Sequence, residues 1–139
     1  MTARVHEKRI ELRWRDFDAF GHVNNSVYLD YLEEVRDEWL DETIGKHGSS
    51  WDFVLVRVAI DFRRELLVDR DRRVLLSCCL AGTGRSSVRT REQVRTPEGE
   101  LVAEAESVLV ARNRGETQSR PLTPAEVAAF GVPEDTPNA

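Results

Sequence analysis

Asp16-Phe17-Asp18-Ala19-Phe20-Gly21-His22-Val23-Asn24-Asn25, followed by Tyr28, separates an alternating apolar run from a long amphipathic pattern. Gly21 permits a sharp turn that other residues resist. Asn24 or Asn25 is the expected cap of the helix that follows. A helix start carries unpaired N–H donors and a partial positive charge. Asp18 therefore stands a few residues before a natural site for an oxyanion. A carboxylate beside backbone donors is the minimum equipment for acyl transfer or hydrolysis.

Upstream of this stretch, Ile10, Leu12 and Trp14 alternate with charged residues, which predicts a half-buried strand. Downstream, Tyr28, Tyr31, Leu32, Val35, Trp39 and Thr43 recur at steps of three and four, so they share one face of a helix of about 20 residues. Asp30, Glu33, Glu34, Arg36, Asp37, Glu38 and Asp41 fill the other face, and Gly45 is the expected C-cap.

Beyond Gly48-Ser49-Ser50 the pattern becomes that of strands. Val54, Val56, Val58, Ile60 and Phe62 alternate with Leu55, Arg57, Ala59 and Asp61. Val74, Leu76, Cys78 and Leu80 follow, then a turn at Gly82-Thr83-Gly84, a polar strand over 86–96, a hairpin turn at Pro97-Glu98-Gly99 and a strand from Leu101 to Ala111. Thr123 and Pro124 open a short helix that ends by Gly131. The close connections are hairpins, so the expectation is an α+β fold: an antiparallel sheet of about five strands packed on one long helix. Residues 1–131 form the expected single domain, and 132–139 a flexible tail.

The 139 residues suit one domain, with 40% hydrophobic and 32% charged residues. No apolar run approaches the roughly 20 residues that cross a bilayer, and Met1 to Arg9 lacks the apolar core of a signal peptide. A cytoplasmic protein without membrane contact is expected. The net charge of −5 disfavours nucleic acid as a partner. Yet Arg63, Arg64, Arg70, Arg72, Arg73, Arg85, Arg89, Arg91 and Arg95 crowd residues 63–95, a basic patch suited to a phosphorylated small molecule, or a solvated face of the sheet. Cys78 and Cys79 are neighbours and point to opposite faces of a strand. A disulfide between them would be strained, and further ligands for a metal are lacking; one of the two reads as core, a small apolar residue.

Trp14, Asp18, Gly21, Val23, Tyr28, the acidic pair Glu33-Glu34 and Arg36 together resemble a pattern of the hot-dog fold acyl-CoA thioesterases, specifically the 4-hydroxybenzoyl-CoA thioesterase-like family. That pattern is an aromatic residue, then Asp-x-x-Gly-x-Val, then Tyr at the tenth position after the Asp, then an acidic pair and Arg. His22-Val23-Asn24-Asn25 is similar to a subgroup that carries this run. The resemblance spans roughly residues 5–131. It implies a sheet wrapped around a central helix, hydrolysis of an acyl-CoA thioester, no metal and no cofactor. Asp18 would be the catalytic carboxylate, as nucleophile or as base for a water. The backbone N–H of Asn25 would hold the carbonyl oxygen. Gly21, His22, Asn24 and Tyr28 would contact substrate, and Arg64, Arg85 and Ser86 the coenzyme A. The family's site lies between subunits, so a homodimer or homotetramer is implied.

Each of these residues also has a plainer reading: Asp16 as a solvated acid, His22 as a loop-ordering group, Asn24 as a cap, Tyr28 as core, Glu33 and Glu34 as structural or intersubunit contacts. Two other functions use the same fold: a non-catalytic acyl-CoA-binding or regulatory module, and a thioesterase acting on acyl-carrier protein. A dehydratase ranks last, because His6, His22 and His47 include no convincing partner acid in the core.

Overall fold

The structure is a computed structural model and describes residues 4–133. Strands β1 (His6–Glu11), β2 (Phe53–Phe62), β3 (Arg73–Thr83), β4 (Ser87–Arg95) and β5 (Leu101–Ala111) form one sheet in the order β1-β3-β4-β5-β2. Every neighbouring pair is antiparallel. Helix α1 (Val27–Ile44) lies against β1, β3 and β4, and a short helix α2 (Pro124–Phe130) packs on α1.

Alternation decides which sheet face meets the helix. Val74, Leu76, Cys78 and Leu80 of β3 are buried, while the residues between them face outward and are half-exposed. Tyr28, Tyr31, Leu32, Val35, Trp39, Leu40 and Ile44 of α1 close the other side of the core. Phe130 of α2 stacks on Trp39 at 5.8 Å between ring centres. As expected, Thr123 caps α2: its hydroxyl accepts from Glu126 N–H, and Glu126 reaches back to Thr123 N–H. Cys78 is buried and Cys79 half-buried, and neither is in a disulfide.

Three expectations change. Trp14 does not continue β1. It stands in a 3-10 turn over Trp14–Asp16 and is 83% exposed, because the Asp16 carboxylate accepts from Arg13 N–H and bends the chain there. Arg36 leaves the polar face of α1. It is buried beneath the helix, where its guanidinium meets the Glu92 carboxylate at 3.1 Å, and Thr90 and Ser107 complete the acceptor's bonds. A buried pair of this kind persists only when its hydrogen bonds are satisfied. Burial pushes the Glu92 carboxyl up, against the pull of Arg36. Finally, β2 does not alternate cleanly: its register slips between Leu55 and Arg57, and Leu55, Val56 and Phe62 are exposed.

The two sheet edges therefore differ. β1 carries alternating charge, and His6 and Lys8 are tied to Glu38 of α1. β2 presents an apolar, bulged edge with nothing over it among the described residues. No described helix is long and apolar enough to cross a membrane. The expected tail lies outside the described residues from 134 onward.

Candidate active site

The motif folds as a small hairpin. Phe17 bridges Val23, Asp18 N–H donates to His22 C=O at 2.8 Å, and Gly21 N–H donates to Asp18 C=O at 3.0 Å. Gly21 takes φ +77, a left-handed conformation that L side chains resist. The hairpin is held from outside. Val23 N–H donates to Leu66 C=O, Val68 N–H donates to Gly21 C=O, and His22 bridges Leu67. The segment after β2 therefore lies against the motif, and between them opens a cleft of about 430 Å³. Its lining includes Asp18, His22, Asn24, Asn25, Tyr28 and, from the far side, Phe62 to Glu65.

Asp18 faces this cleft with one oxygen committed and one free. Its Oδ1 accepts from Phe20 N–H at 2.9 Å and His22 N–H at 3.4 Å. Its Oδ2 has no hydrogen-bond partner among the described residues. Asn25 supplies an equally unspent donor, since its N–H meets no acceptor among the described residues. The cause is the turn before α1. Asn24 Oδ1 accepts from Ser26 N–H and Ser26 Oγ–H, and Asn24 C=O accepts from Val27 N–H, which passes over Asn25. The Asn25 donor thus belongs to the turn ahead of the helix, whose N-cap is Ser26 rather than either asparagine.

The profile described as the Thioesterase-like superfamily matches residues 12–131. The long-chain acyl-CoA thioesterase FadM of Escherichia coli (strain K12) is 30% identical over 104 residues, which is 71% of this chain and 76% of FadM. The chain belongs to the thioesterase-like superfamily. A thioesterase from Thermus thermophilus, solved with coenzyme A and zinc, is 32% identical with a TM-score of 0.74, over 90% of this chain and 96% of that one. The PA2801 protein of Pseudomonas aeruginosa is 28% identical with a TM-score of 0.77, over 92% of this chain and all of that one, 100%. The fold is the hot-dog fold of these thioesterases. Among the described residues no group of three or more His, Cys, Asp or Glu side chains could hold a metal ion.

Within this thioesterase-like frame most of the anticipated residues meet. Asp18, His22, Asn24, Asn25, Tyr28 and Arg64 line one cleft, and Gly21 shapes its hairpin. Tyr28 is both core and wall: it is buried, packs edge-on against Tyr31 and Phe62, and burial raises its hydroxyl to about 12, so it stays neutral. His22 Nδ1 lies 3.4 Å from Glu65. Glu33 and Glu34 are exposed on α1 and are not among the lining residues.

Arg85 and Ser86 lie elsewhere. Ser86 C=O accepts from Ala111 N–H, at the end of β5 that pairs with Phe53. Phe62, at the cleft, pairs with Ala103. The two ends lie eight residues apart along β5, from Ala103 to Ala111, roughly 26 Å at strand spacing.

Asp16 is not the solvated acid its position suggests. It is 2% exposed and accepts from Arg13 N–H, Arg13 Nε and, at 2.7 Å, the Tyr31 hydroxyl. Burial alone would raise its carboxyl, but these bonds outweigh it and hold the group below its ordinary range. The three-residue spacing from Arg13 to Asp16 was the available signal, a small capping arrangement. Phe62 and Glu65 carry no comparable signal, because long-range pairing with the hairpin brings them to the cleft.

Proposed function

We propose that the protein hydrolyses acyl-CoA thioesters, with Asp18 as the catalytic carboxylate and Asn25 N–H as the oxyanion donor. One observation carries this reading: Asp18, with a carboxylate oxygen that has no partner, and Asn25, with a backbone N–H that meets no acceptor, line the same cleft in a thioesterase-like chain related to FadM. Asp18 Oδ2 draws the proton from a water as the water oxygen bonds to the carbonyl carbon. The carbonyl oxygen takes the negative charge and Asn25 N–H holds it. The C–S bond then breaks, and the thiolate leaves with the proton as coenzyme A. If Asp18 instead attacks directly, the same oxygen forms an anhydride that water then opens. Label that enters Asp18 during a single turnover in 18O-labelled water identifies the anhydride route, opened at the Asp18 carboxyl carbon. Backbone donors of this type contribute roughly 3–4 kcal/mol to barrier lowering in other hydrolases.

The site is completed by a second copy. β2 offers an apolar edge with Leu55, Val56 and Phe62 exposed, and such edges are ordinarily paired or guarded. Antiparallel pairing of β2 with β2 about a two-fold axis sets each Phe62 end beside the partner's Phe53 end. The partner's Arg85 and Ser86 then stand about three strand spacings from the cleft, roughly 14 Å, along the path of the pantetheine arm. Light scattering should return at least twice the chain mass.

Thiol release from acyl-CoAs of short, long and aromatic acyl groups tests the activity. Turnover on at least one, absent with the acyl-carrier-protein thioester of the same acid, supports the reading. Binding of every acyl-CoA without turnover contradicts it and leaves a non-catalytic module.

A further inference from the structure

Of the charged residues of α1, Arg36 is the one that is buried. It is 4% exposed, and Glu92, beneath it on β4, is 0% exposed. Arg36 Nη1 donates to Glu92 Oε1 at 3.1 Å and to Ser107 Oγ of β5 at 3.3 Å. Thr90 Oγ1 donates to Glu92 Oε1 at 2.9 Å and Ser107 Oγ to Glu92 Oε2 at 3.2 Å, so both carboxylate oxygens are engaged. Such a pair is a poor source of stability. Taking two charges out of water costs about what their attraction returns, and apolar residues of similar volume often serve as well or better. What a fully bonded pair adds is direction, because it fits one placement of the helix on the sheet.

The apolar packing of α1 on the sheet has no such direction, and helices packed that way shift by about 1–2 Å between states of other proteins. Other polar ties of α1 lead away from the sheet centre: Tyr31 to Asp16 in the motif loop, Glu38 and Glu42 to His6 on β1, and Trp39 to Arg4 C=O. Toward β4 and β5 the bonds run from Arg36. The placement matters at the start of the helix. Asp18 stands on the hairpin that residues 66–68 hold from outside. Asn25 belongs to the turn that closes on Val27, the first residue of α1. Nine positions separate Val27 from Arg36, about 14 Å along a stiff helix. Asn24 N–H and the Tyr31 hydroxyl tie the helix start to Asp16, and Arg36 ties its middle to the sheet. Two fixed points leave α1 no freedom to slide; one would.

Resting on Asn25 N–H as the oxyanion donor, we propose that Arg36 and Glu92 are positioning residues for the hydrolysis: their bond fixes α1 along the sheet and so sets Asn25 N–H against Asp18. Neither residue lines the cleft, and neither touches substrate. They act through the helix that carries the donor. A misplacement of about 1 Å at such a site costs on the order of a hundredfold in rate.

The test is the Arg36→Met/Glu92→Leu double variant, which replaces the pair by apolar groups and leaves Thr90 and Ser107, opposite each other in register, to bond one another. Its melting temperature should equal or exceed that of the wild type. Its kcat on the best acyl-CoA should nevertheless fall tenfold or more, with KM within about twofold, because the lost placement acts on the transition state. A smaller loss of kcat in a variant that melts like the wild type overturns the proposal, since the pair would then serve the fold alone. A loss that appears only in KM overturns it as well. If the double variant melts well below the wild type, Glu92→Gln, which keeps the side-chain size, carries the kinetic test. Its kcat per folded molecule should fall threefold or more at unchanged KM, and a smaller loss overturns the proposal. Amide spectra test the placement without turnover. In the variant that folds, the N–H resonances of Asn25, Ser26 and Val27 should move while those of Gly21 and His22 keep their place. Unmoved resonances at 25–27 overturn the proposal. If no thioester turns over in the wild type, the catalytic reading fails separately, and these resonances still decide whether the pair places the helix start.

Discussion

Asp16 and Asp18 stand two residues apart on one loop and have opposite surroundings. Around Asp16 every polar atom is engaged, with the carboxylate closed off by Arg13 and Tyr31 and 2% exposed. Around Asp18 the chain leaves groups unspent, a carboxylate oxygen and the Asn25 N–H, and both residues line a cleft. Satisfied groups stabilise a fold, whereas unsatisfied groups at a cleft are what a substrate can use. The difference gives Asp16 a structural role and leaves Asp18 the acid that the proposed chemistry uses.

The comparison can be broken at several points. Asp16→Asn should have the largest effect on stability, about 3 kcal/mol at neutral pH in urea unfolding, because it weakens charge-assisted bonds to Arg13 and Tyr31. The Asp16 carboxyl is lowered in the folded state, so its contribution is full above the ordinary carboxylate range. It is lost as pH falls through the folded value, and the gap between Asp16→Asn and wild type should therefore close in acid. A gap that widened in acid would refute the network.

Tyr31→Phe removes one bond to the same carboxylate and should lower stability by about 1.5–2 kcal/mol, again with little change in turnover. Gly21→Ala forces a side chain into φ +77 within the motif hairpin, at about 1–2 kcal/mol, and should reduce kcat by displacing Asp18. Asn24→Ala should have the smallest effect on stability, about 1 kcal/mol or less, since the turn it closes is exposed. Its effect on kcat should exceed its effect on stability, because that turn keeps Asn25 N–H unpaired. If Asn24→Ala left kcat untouched, the oxyanion assignment to Asn25 would weaken.

Much of the fold was legible because periodicity reports it directly. β3 alternates cleanly and β5 does so from Ala103 onward, α1 repeats its apolar face, and the capping signals of α2 sit at Thr123 and Pro124. What escaped depended on distant partners. Arg36 reads as surface until Glu92, fifty-six positions later, is placed beneath it. Val56 breaks the alternation of β2 through a bulge that only β5 defines. At the site, local sequence carried Asp18 and Gly21 and the resemblance added Asn25, while Phe62 and Glu65 arrive through the pairing of 66–68 with the hairpin. Arg85 and Ser86 were placed beside coenzyme A by resemblance, and a single chain puts them at the other end of the sheet.

The most direct measurement sets Asp18→Asn beside Asp16→Asn, with thiol release from the best acyl-CoA and thermal unfolding recorded on the same samples. The account predicts that Asp18→Asn loses a hundredfold or more in kcat with an unchanged melting temperature. Asp16→Asn should melt earlier yet keep kcat within about tenfold per folded molecule. Near wild-type turnover in Asp18→Asn, or a greater loss per folded molecule in Asp16→Asn, would contradict it.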